Sequence, residues 1–429
     1  MTHSLQIPSP MNILTRAQCE QCDVADRLAP LRLQFDLPPD TLYLDGNSLG
    51  AMPRSTAERV RKVISEEWGR DLIKSWNTAG WIDLPKRVGN KIARLVGATD
   101  NELVVADSTS VNLFKVLSAA IDIARTDSPG RKLIISERSN FPTDLYIASS
   151  LARQHGSHLL LAEAEDIPVL LQDRPAILML TQVNYRTGRL HDMAVLTRLA
   201  HENGVLTIWD LAHSAGAIPV DLNGCDADFA VGCGYKYLNG GPGAPAFVWA
   251  NQRHAERFSQ PLAGWMGHAA PFDFTPDYRP AAGIDRYLCG TPPLLSMAAL
   301  ECGVDTLLAA QTLGGMPALR TKSIALCELF IARVEACCVG HGLVLKSPRD
   351  AACRGSQVSF AHDHAYPVMQ ALIARGVIGD FRAPDVLRFG FTPLYTRFVD
   401  VWDAVEQLVE VLHRGEWREP RFNQRSAVT

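Results

Sequence analysis

A doubly wound α/β protein is predicted, with a mainly parallel seven-stranded sheet in a large domain and a smaller α+β domain after it. Three observations predict it. From about residue 83, apolar runs alternate with helix-periodic stretches, which gives strands at 102–106, 132–136, 158–162, 176–181, 205–209, 228–233 and 245–249. Most of these runs are apolar at nearly every position rather than every second one, the pattern of strands covered by helices on both faces. The chain has 429 residues, 47% hydrophobic and 21% charged, the balance of two or three core-forming units, and carries no internal repeat.

In chain order, residues 15–30 have a helical pattern, and Leu37-Pro-Pro-Asp40 breaks it before Tyr43-Leu-Asp-Gly-Asn-Ser-Leu-Gly50, a short strand and a turn. A helix follows Pro53, with Val60, Val63, Ile64 and Trp68 predicted on its apolar face and Arg59, Lys62 and Glu66 on a solvated one. Trp76 and Trp81 form an aromatic patch that is either core or the wall of a flat substrate's pocket. The strand-and-helix series then runs to residue 249. Gly- and Pro-rich loops follow, Pro261-Leu-Ala-Gly-Trp-Met-Gly267 and Cys289-Gly-Thr-Pro-Pro293, of the kind that line sites. A long helical region from 294 to about 339 leads to the small domain, with strands at 343–346, 357–362 and 387–391 and helices near 367–375 and 399–412. The expected division is 1–40 as an N-terminal segment on the small domain, 41–300 as the large domain, 301–415 as the small domain and 416–429 as a loose tail.

The formal charge of −4 gives no basic field for nucleic acid or anionic lipid. No uninterrupted apolar run reaches the length of a membrane span, and the first residues lack the layout of a secretory signal, so a cytoplasmic protein is expected. Ten scattered cysteines read as reduced thiols. Cys19-Glu-Gln-Cys22 has the spacing of a metal pair but no second pair to complete a site, so no metal is expected. Cys337-Cys338 reads as core.

The chemistry centres on Phe229-Ala-Val-Gly-Cys-Gly-Tyr-Lys-Tyr-Leu-Asn-Gly-Gly-Pro-Gly243. A lysine at the mouth of a buried strand loses hydration, which favours its neutral amine, and such an amine can form a Schiff base. An isolated lysine there more often only snorkels. Lys236 is not isolated, because Val205-Leu-Thr-Ile-Trp209 ends at Asp210, and strand carboxyl ends share one edge of an α/β sheet. A lysine for an aldehyde and an acid for a pyridinium nitrogen are what pyridoxal phosphate requires. His213, one helical turn past Asp210, can stack on such a ring, orient the acid, or be structural.

Around this pair, Thr109 and Ser110 open a helix and can bind a phosphate there, or act as a plain cap. Phe141 and Asp144 start another helix, where they can cover a ring and meet a polar substituent, or form a cap with a hydrophobic staple. Thr181 ends a strand at the same edge. Arg388 lies within an apolar strand and needs an anionic partner, either a fixed carboxylate or a substrate's.

The ordered set Tyr43-Leu-Asp-Gly-Asn-Ser-Leu-Gly50, Phe141-Pro-Thr-Asp144, Asp210-Leu-Ala-His213, Gly234-Tyr-Lys-Tyr-Leu-Asn-Gly-Gly-Pro-Gly243, Gly290-Thr-Pro-Pro293 and Arg382-Ala-Pro-Asp-Val-Leu-Arg388 resembles the kynureninases, fold-type I pyridoxal phosphate enzymes similar to class V aminotransferases. The resemblance implies hydrolysis of L-kynurenine to anthranilate and L-alanine in tryptophan breakdown. It implies Lys236 as cofactor lysine, Asp210 at the pyridine nitrogen with His213 beside it, Phe141 on the ring, Asp144 at its hydroxyl side and Thr181 nearby. Thr109, Ser110, Tyr235 and, from a partner subunit, Trp265 and Thr291 would hold the phosphate end, so a homodimer is implied. Arg388 would take the substrate carboxylate, with Asn47 and Ser48 near it, and Tyr235 would donate a late proton. Trp76 and Thr291, where forms acting on the 3-hydroxylated substrate tend to have His and Asn, imply a preference for unhydroxylated kynurenine. A rival on the same fold is a cysteine desulfurase or selenocysteine lyase with Cys353 as nucleophile.

Overall fold

The computed structural model describes residues 14–425, which divide into two compact units, 53–185 with 190–308, and 14–52 with 186–189 and 309–425. All seven expected strands form the sheet of the first, larger unit: β1 (Leu103–Ala106), β2 (Leu133–Glu137), β3 (His158–Ala162), β4 (Ile177–Thr181), β5 (Leu206–Asp210), β6 (Phe229–Gly232) and β7 (Ala246–Ala250). Their order is β1-β7-β6-β5-β4-β2-β3, and only β7 runs antiparallel to its neighbours. The reason is the connection. β6 returns through the glycine-rich turn with no crossover helix, and a parallel neighbour would need one. Asn239, Gly241 and Gly243 hold positive φ in that turn (56°, 82° and 72°). β7 therefore starts at the edge where the other strands end.

The sheet positions are closed to solvent: β1, β4, β6 and β7 are buried along their whole lengths. The helices Thr109–Asp127 and Pro142–His155 pack Leu113, Val116, Leu117, Ala148 and Leu151 against Ile134, Met179, Ile208, Phe229 and Val248. The stretch Leu294–Leu313 is long and apolar enough to cross a membrane by composition, yet Met297, Leu300, Val304 and Leu307 on it are buried.

One expected face is corrected. The helix after Pro53 runs regularly only over Arg54–Lys62 and then widens into a π turn, Val63–Trp68. The extra residue per turn shifts the phase of the pattern, so Val63 is buried while Ile64 and Trp68 are 45% and 58% exposed. Glu67 turns inward instead, accepting from Trp81 Nε1 at 2.8 Å and pairing with Arg59 at 2.7 Å, so Arg59 is not an ordinary surface cation.

The smaller unit holds an antiparallel sheet in the order β10-β11-β9-β8, with β8 Val344–Leu345, β9 Gln357–Ala361, β10 Asp380–Arg382 and β11 Val386–Gly390. The helices Gly315–Cys337, Ala365–Ala374 and Phe398–Arg414 cover it, and the helix Arg16–Ala25 adds Cys19 to the same core. Asp23 accepts from the backbone N–H groups of Phe398 and Val399 (2.7 and 3.0 Å), capping the last long helix from the first. Cys338 is buried but Cys337 is exposed, which corrects half of the expected core pair. Residues 416–425 are not loose: Glu416 pairs with Arg375, Phe422 joins the core, and Tyr366 Oη donates to Gln424 O at 3.0 Å. The first thirteen residues, including the stretch read for a secretory signal, and the last four of the expected tail lie outside the described residues.

Candidate active site

In the larger unit the site residues gather at the carboxyl edge of the sheet. Thr181 closes β4 and Asp210 closes β5, and the register pairs the two directly. Asp210 is buried, and its Oδ1 accepts from Ala212 N at 2.7 Å. Asp144, in the first turn of the Pro142–His155 helix, is also buried, close enough to Asp210 for the two carboxyl groups to act on each other. Burial raises Asp144 well above the ordinary carboxylate range, and the charge of Asp210 raises it further. Burial also raises Asp210, against the Ala212 N–H and the Lys236 charge, which oppose it. The charge of Lys236 and the Thr181 hydroxyl oppose the rise of Asp144 without cancelling it.

Lys236 follows β6, half-buried, with Nζ 3.0 Å from His213 Nε2, the distance of an N–H···N hydrogen bond, and 5.6 Å from the centre of the Tyr235 ring. His213 thus meets the lysine. Thr181 Oγ1 lies between Asn140 Oδ1, to which it is hydrogen-bonded, and Asp144 Oδ2 at 3.5 Å. Asn140 also accepts from Phe141 N at 2.6 Å, which fixes the turn from which Phe141, 42% exposed, projects edge-on to Tyr185 at 5.2 Å. Thr109 and Ser110 are the first two residues of their helix, and Ser108, not either of them, is its cap, with Oγ accepting from Val111 N at 3.3 Å.

Trp76 packs edge-on to Trp81 (6.2 Å) and to Trp265 (6.0 Å), whereas Thr291 is exposed in the turn before the Leu294–Leu308 helix.

The smaller unit carries a separate group of polar residues. Arg388 on β11 is 1% exposed and faces Asp380 across the strand pair, as its register partner. Its Nε donates to Asp380 Oδ1 at 2.8 Å, its Nη2 donates to Asp380 Oδ2, and Nη2 also donates to Ser48 Oγ at 2.7 Å. Arg382 pairs with the same carboxylate at 2.8 Å. Burial alone would raise Asp380, but Arg388 and then Arg382 outweigh it and hold the acid below its usual range. Asp45 nearby is raised well above that range by burial and by the charge of Asp380. Asn47 is fully buried with neither side-chain amide atom hydrogen-bonded.

Asp380, Asp45 and Asn140 were not assigned from sequence. A usable signal for Asp380 was present: an arginine buried in a strand demands a carboxylate, and the residue opposite it across a short hairpin is the first place to look. Cys19 is buried, and burial foremost pushes its thiol up to about 11. Among the described residues no group of three His, Cys, Asp or Glu is arranged to hold a metal ion.

A lysine amine, a buried pair of acids and a helix N-terminus opening with Thr109 and Ser110 are a donor set that fits pyridoxal phosphate. Comparisons with known proteins agree. Residues 319–408 match the family described as the kynureninase C-terminal domain. The chain is 56% identical over 418 residues to a kynureninase of Burkholderia pseudomallei strain K96243 and to one of Pseudomonas fluorescens, spanning 97% of this chain and 100% of each relative. Solved structures with this fold include a cysteine desulfurase of Thermococcus onnurineus (TM-score 0.76, 18% identity, 90% of this chain and 98% of that one). Another is a variant of C-DES with glycine covalently linked to its PLP cofactor (TM-score 0.76, 15% identity, 88% and 98%). By likeness over its whole matched length, and with a site suited to the cofactor, the chain belongs to the kynureninase family of pyridoxal phosphate-dependent hydrolases that cleave carbon–carbon bonds.

Proposed function

We propose that the chain hydrolyses the Cβ–Cγ bond of L-kynurenine, releasing anthranilate and L-alanine, and prefers this substrate to 3-hydroxykynurenine. The observation that carries the reaction is the 56% identity to kynureninases along 97% of the chain. Lys236 holds the cofactor, Asp210 meets its ring nitrogen, and Asp144, Thr181, His213 and Phe141 surround the ring. Thr109, Ser110 and Tyr235 hold the phosphate, with Trp265 and Thr291 supplied by the second protomer of a homodimer. When bound, pyridoxal phosphate supplies the electron sink for bond changes next to the substrate's amino-bearing carbon.

The chain's residues do the rest. The Lys236 amine would take the Cα proton, and His213, 3.0 Å from Nζ, is placed to receive or return it. A water adds to the γ-carbonyl carbon, and collapse of the hydrate breaks the Cβ–Cγ bond, its electron pair passing to the Cβ side. Tyr235 then protonates Cβ. Arg388, steadied by Asp380 and Ser48, takes the substrate carboxylate, with Asn47 beside it. The buried, unbonded amide of Asn47 supports that role, because such a group has a use for a polar ligand. Preference for the unhydroxylated ring is carried by Trp76 and Thr291. The protein works in the cytoplasm.

Mixing the purified holoenzyme with L-kynurenine tests the reaction: anthranilate fluorescence should rise, and cofactor binding without anthranilate would leave only a non-catalytic role. A Cys353→Ala variant should keep full turnover. Full turnover would remove the desulfurase-like alternative, for which Cys353, exposed in the Ala351–Cys353 turn, is the candidate thiol.

A further inference from the structure

Lys115 is a fully buried cation that the reaction above does not use. It lies two turns into the Thr109–Asp127 helix, and its Nζ donates to Asp107 Oδ2 at 2.5 Å and to the Tyr287 carbonyl at 2.6 Å. An ammonium without water persists only where such partners are fixed. Its two acceptors belong to two different segments, and both bear on a phosphate.

Asp107 is the turn residue between β1 and the helix that begins with Thr109. It holds φ at +46°, a region uncommon for any residue but glycine, and Ala246 N donates to its carbonyl at 2.8 Å. Tyr287 belongs to the loop platform carrying Trp265 and Thr291. That platform is tightly tied: Met266 N donates to Cys289 O at 3.1 Å, Ala281 N to Gly267 O at 2.8 Å and Gln260 Nε2 to Arg286 O at 3.1 Å. A Cβ on Gly264 would come within 2.4 Å of Cys289 O and one on Gly267 within 2.3 Å of Leu288 O. The Tyr287 carbonyl thus lies on the chain between the tied residues Arg286 and Leu288, in a network that reaches Met266 next to Trp265 and ends at Cys289, two residues before Thr291.

We propose that Lys115 is a positioning residue for the cofactor phosphate, a single ammonium that sets both the turn feeding Thr109 and Ser110 and the platform presenting Trp265 and Thr291. This rests on the phosphate site proposed above. If the platform serves the partner's phosphate, Lys115 joins the two sites of a dimer: cofactor bound in one protomer steadies its Asp107 turn and, through Lys115, the platform lent to the other. Cofactor uptake by the apoenzyme is then positively cooperative.

The test is titration of the apoenzyme with pyridoxal phosphate, followed by absorbance, for the wild type and Lys115→Met. Losing two hydrogen bonds from a charged donor should weaken binding about tenfold or more and bring the Hill coefficient to one. Lys322→Met is the control. It removes another buried lysine, paired with Asp26 at 2.7 Å in the smaller unit, so it destabilises folding but should leave cofactor affinity within about twofold. Equal weakening by both variants, or a Lys115→Met affinity within twofold of wild type, overturns the proposal. Should Lys115→Met fail to fold, Lys115→Gln decides by the same twofold criterion. A Thr109→Ala variant separates the premises: if it leaves affinity unchanged the phosphate site itself is wrong, and if it weakens binding while Lys115→Met does not, only the role of Lys115 falls.

Discussion

Both units bury carboxylates, and they do opposite things with them. In the larger unit Asp144 and Asp210 sit together, burial raises both, and the charge of Lys236 opposes that rise without cancelling it. In the smaller unit Asp380 is nearly as buried, yet Arg388 and Arg382 hold it ionised, and the acid that rises is its neighbour Asp45. The difference is one of contact. A fixed guanidinium in bidentate contact makes a buried acid a permanent charge, whereas a second acid makes it a place to keep a proton. The first suits a rigid anion clamp and the second suits a site that manages protons during turnover.

The largest effect that would break this comparison is at Lys236. Lys236→Ala should lower kcat by about a thousandfold or more, and borohydride reduction of the wild-type holoenzyme followed by peptide mapping should find the label on this residue. A label elsewhere would remove the larger unit's site from the comparison altogether. Next comes Arg388. Arg388→Lys keeps the charge but loses the fork, so kcat/KM for kynurenine should fall roughly 10- to 100-fold, chiefly through KM. Arg388→Met leaves the buried Asp380 with Arg382 as its one remaining cation and should lower unfolding free energy by about 1 to 3 kcal/mol, measurable by urea titration.

The contrast in protonation is sharpened by pH. Asp144 is raised on folding, so its contribution is greatest below about pH 4 and is lost as pH rises through its folded value. Asp380 is lowered, so its contribution is present above about pH 4 and is lost as pH falls through its folded value. Apoenzyme with Asp144→Asn should therefore lose less stability than wild type on going to alkaline pH, while Asp380→Asn should be less stable than wild type at neutral pH and converge on it in acid. Parallel Tm-against-pH curves for the two variants would show that the two acid sites do not differ. The smallest effect concerns specificity: Trp76→His with Thr291→Asn should move the ratio of kcat/KM values toward 3-hydroxykynurenine, and an unchanged ratio would detach both residues from substrate choice.

Much of this arrangement was legible in the sequence because the central parallel strands are buried on both faces, so each of them advertises itself as an apolar run whose last polar residue marks the site edge. Asp210 and Lys236 were found in that way. What escaped depends on register and local irregularity. Asp380 lies on a three-residue strand, too short to show a period, and its meaning comes only from sitting opposite Arg388. The meeting of Asp144 with Asp210 needs the Pro142–His155 helix to start beside the end of β5, which no local pattern encodes. Val63-Ile-Ser-Glu-Glu-Trp68 reads as ordinary helix, and nothing in it announces the π turn that sends Glu67 inward.

Asp23 capping the Phe398–Arg414 helix, and Cys19 and Leu44 lying in the same core as Leu408, have a consequence for biosynthesis. During translation the earliest described residues emerge long before the helices they pack against, and the whole strand series of residues 53–308 is made in between. The large sheet can therefore assemble first, while Leu28, Leu31 and Phe35 remain exposed and in need of protection from aggregation until the ribosome finishes. Splitting the gene at residue 308 should for the same reason yield two polypeptides of unequal fate, the distal one lacking the ends of its own core.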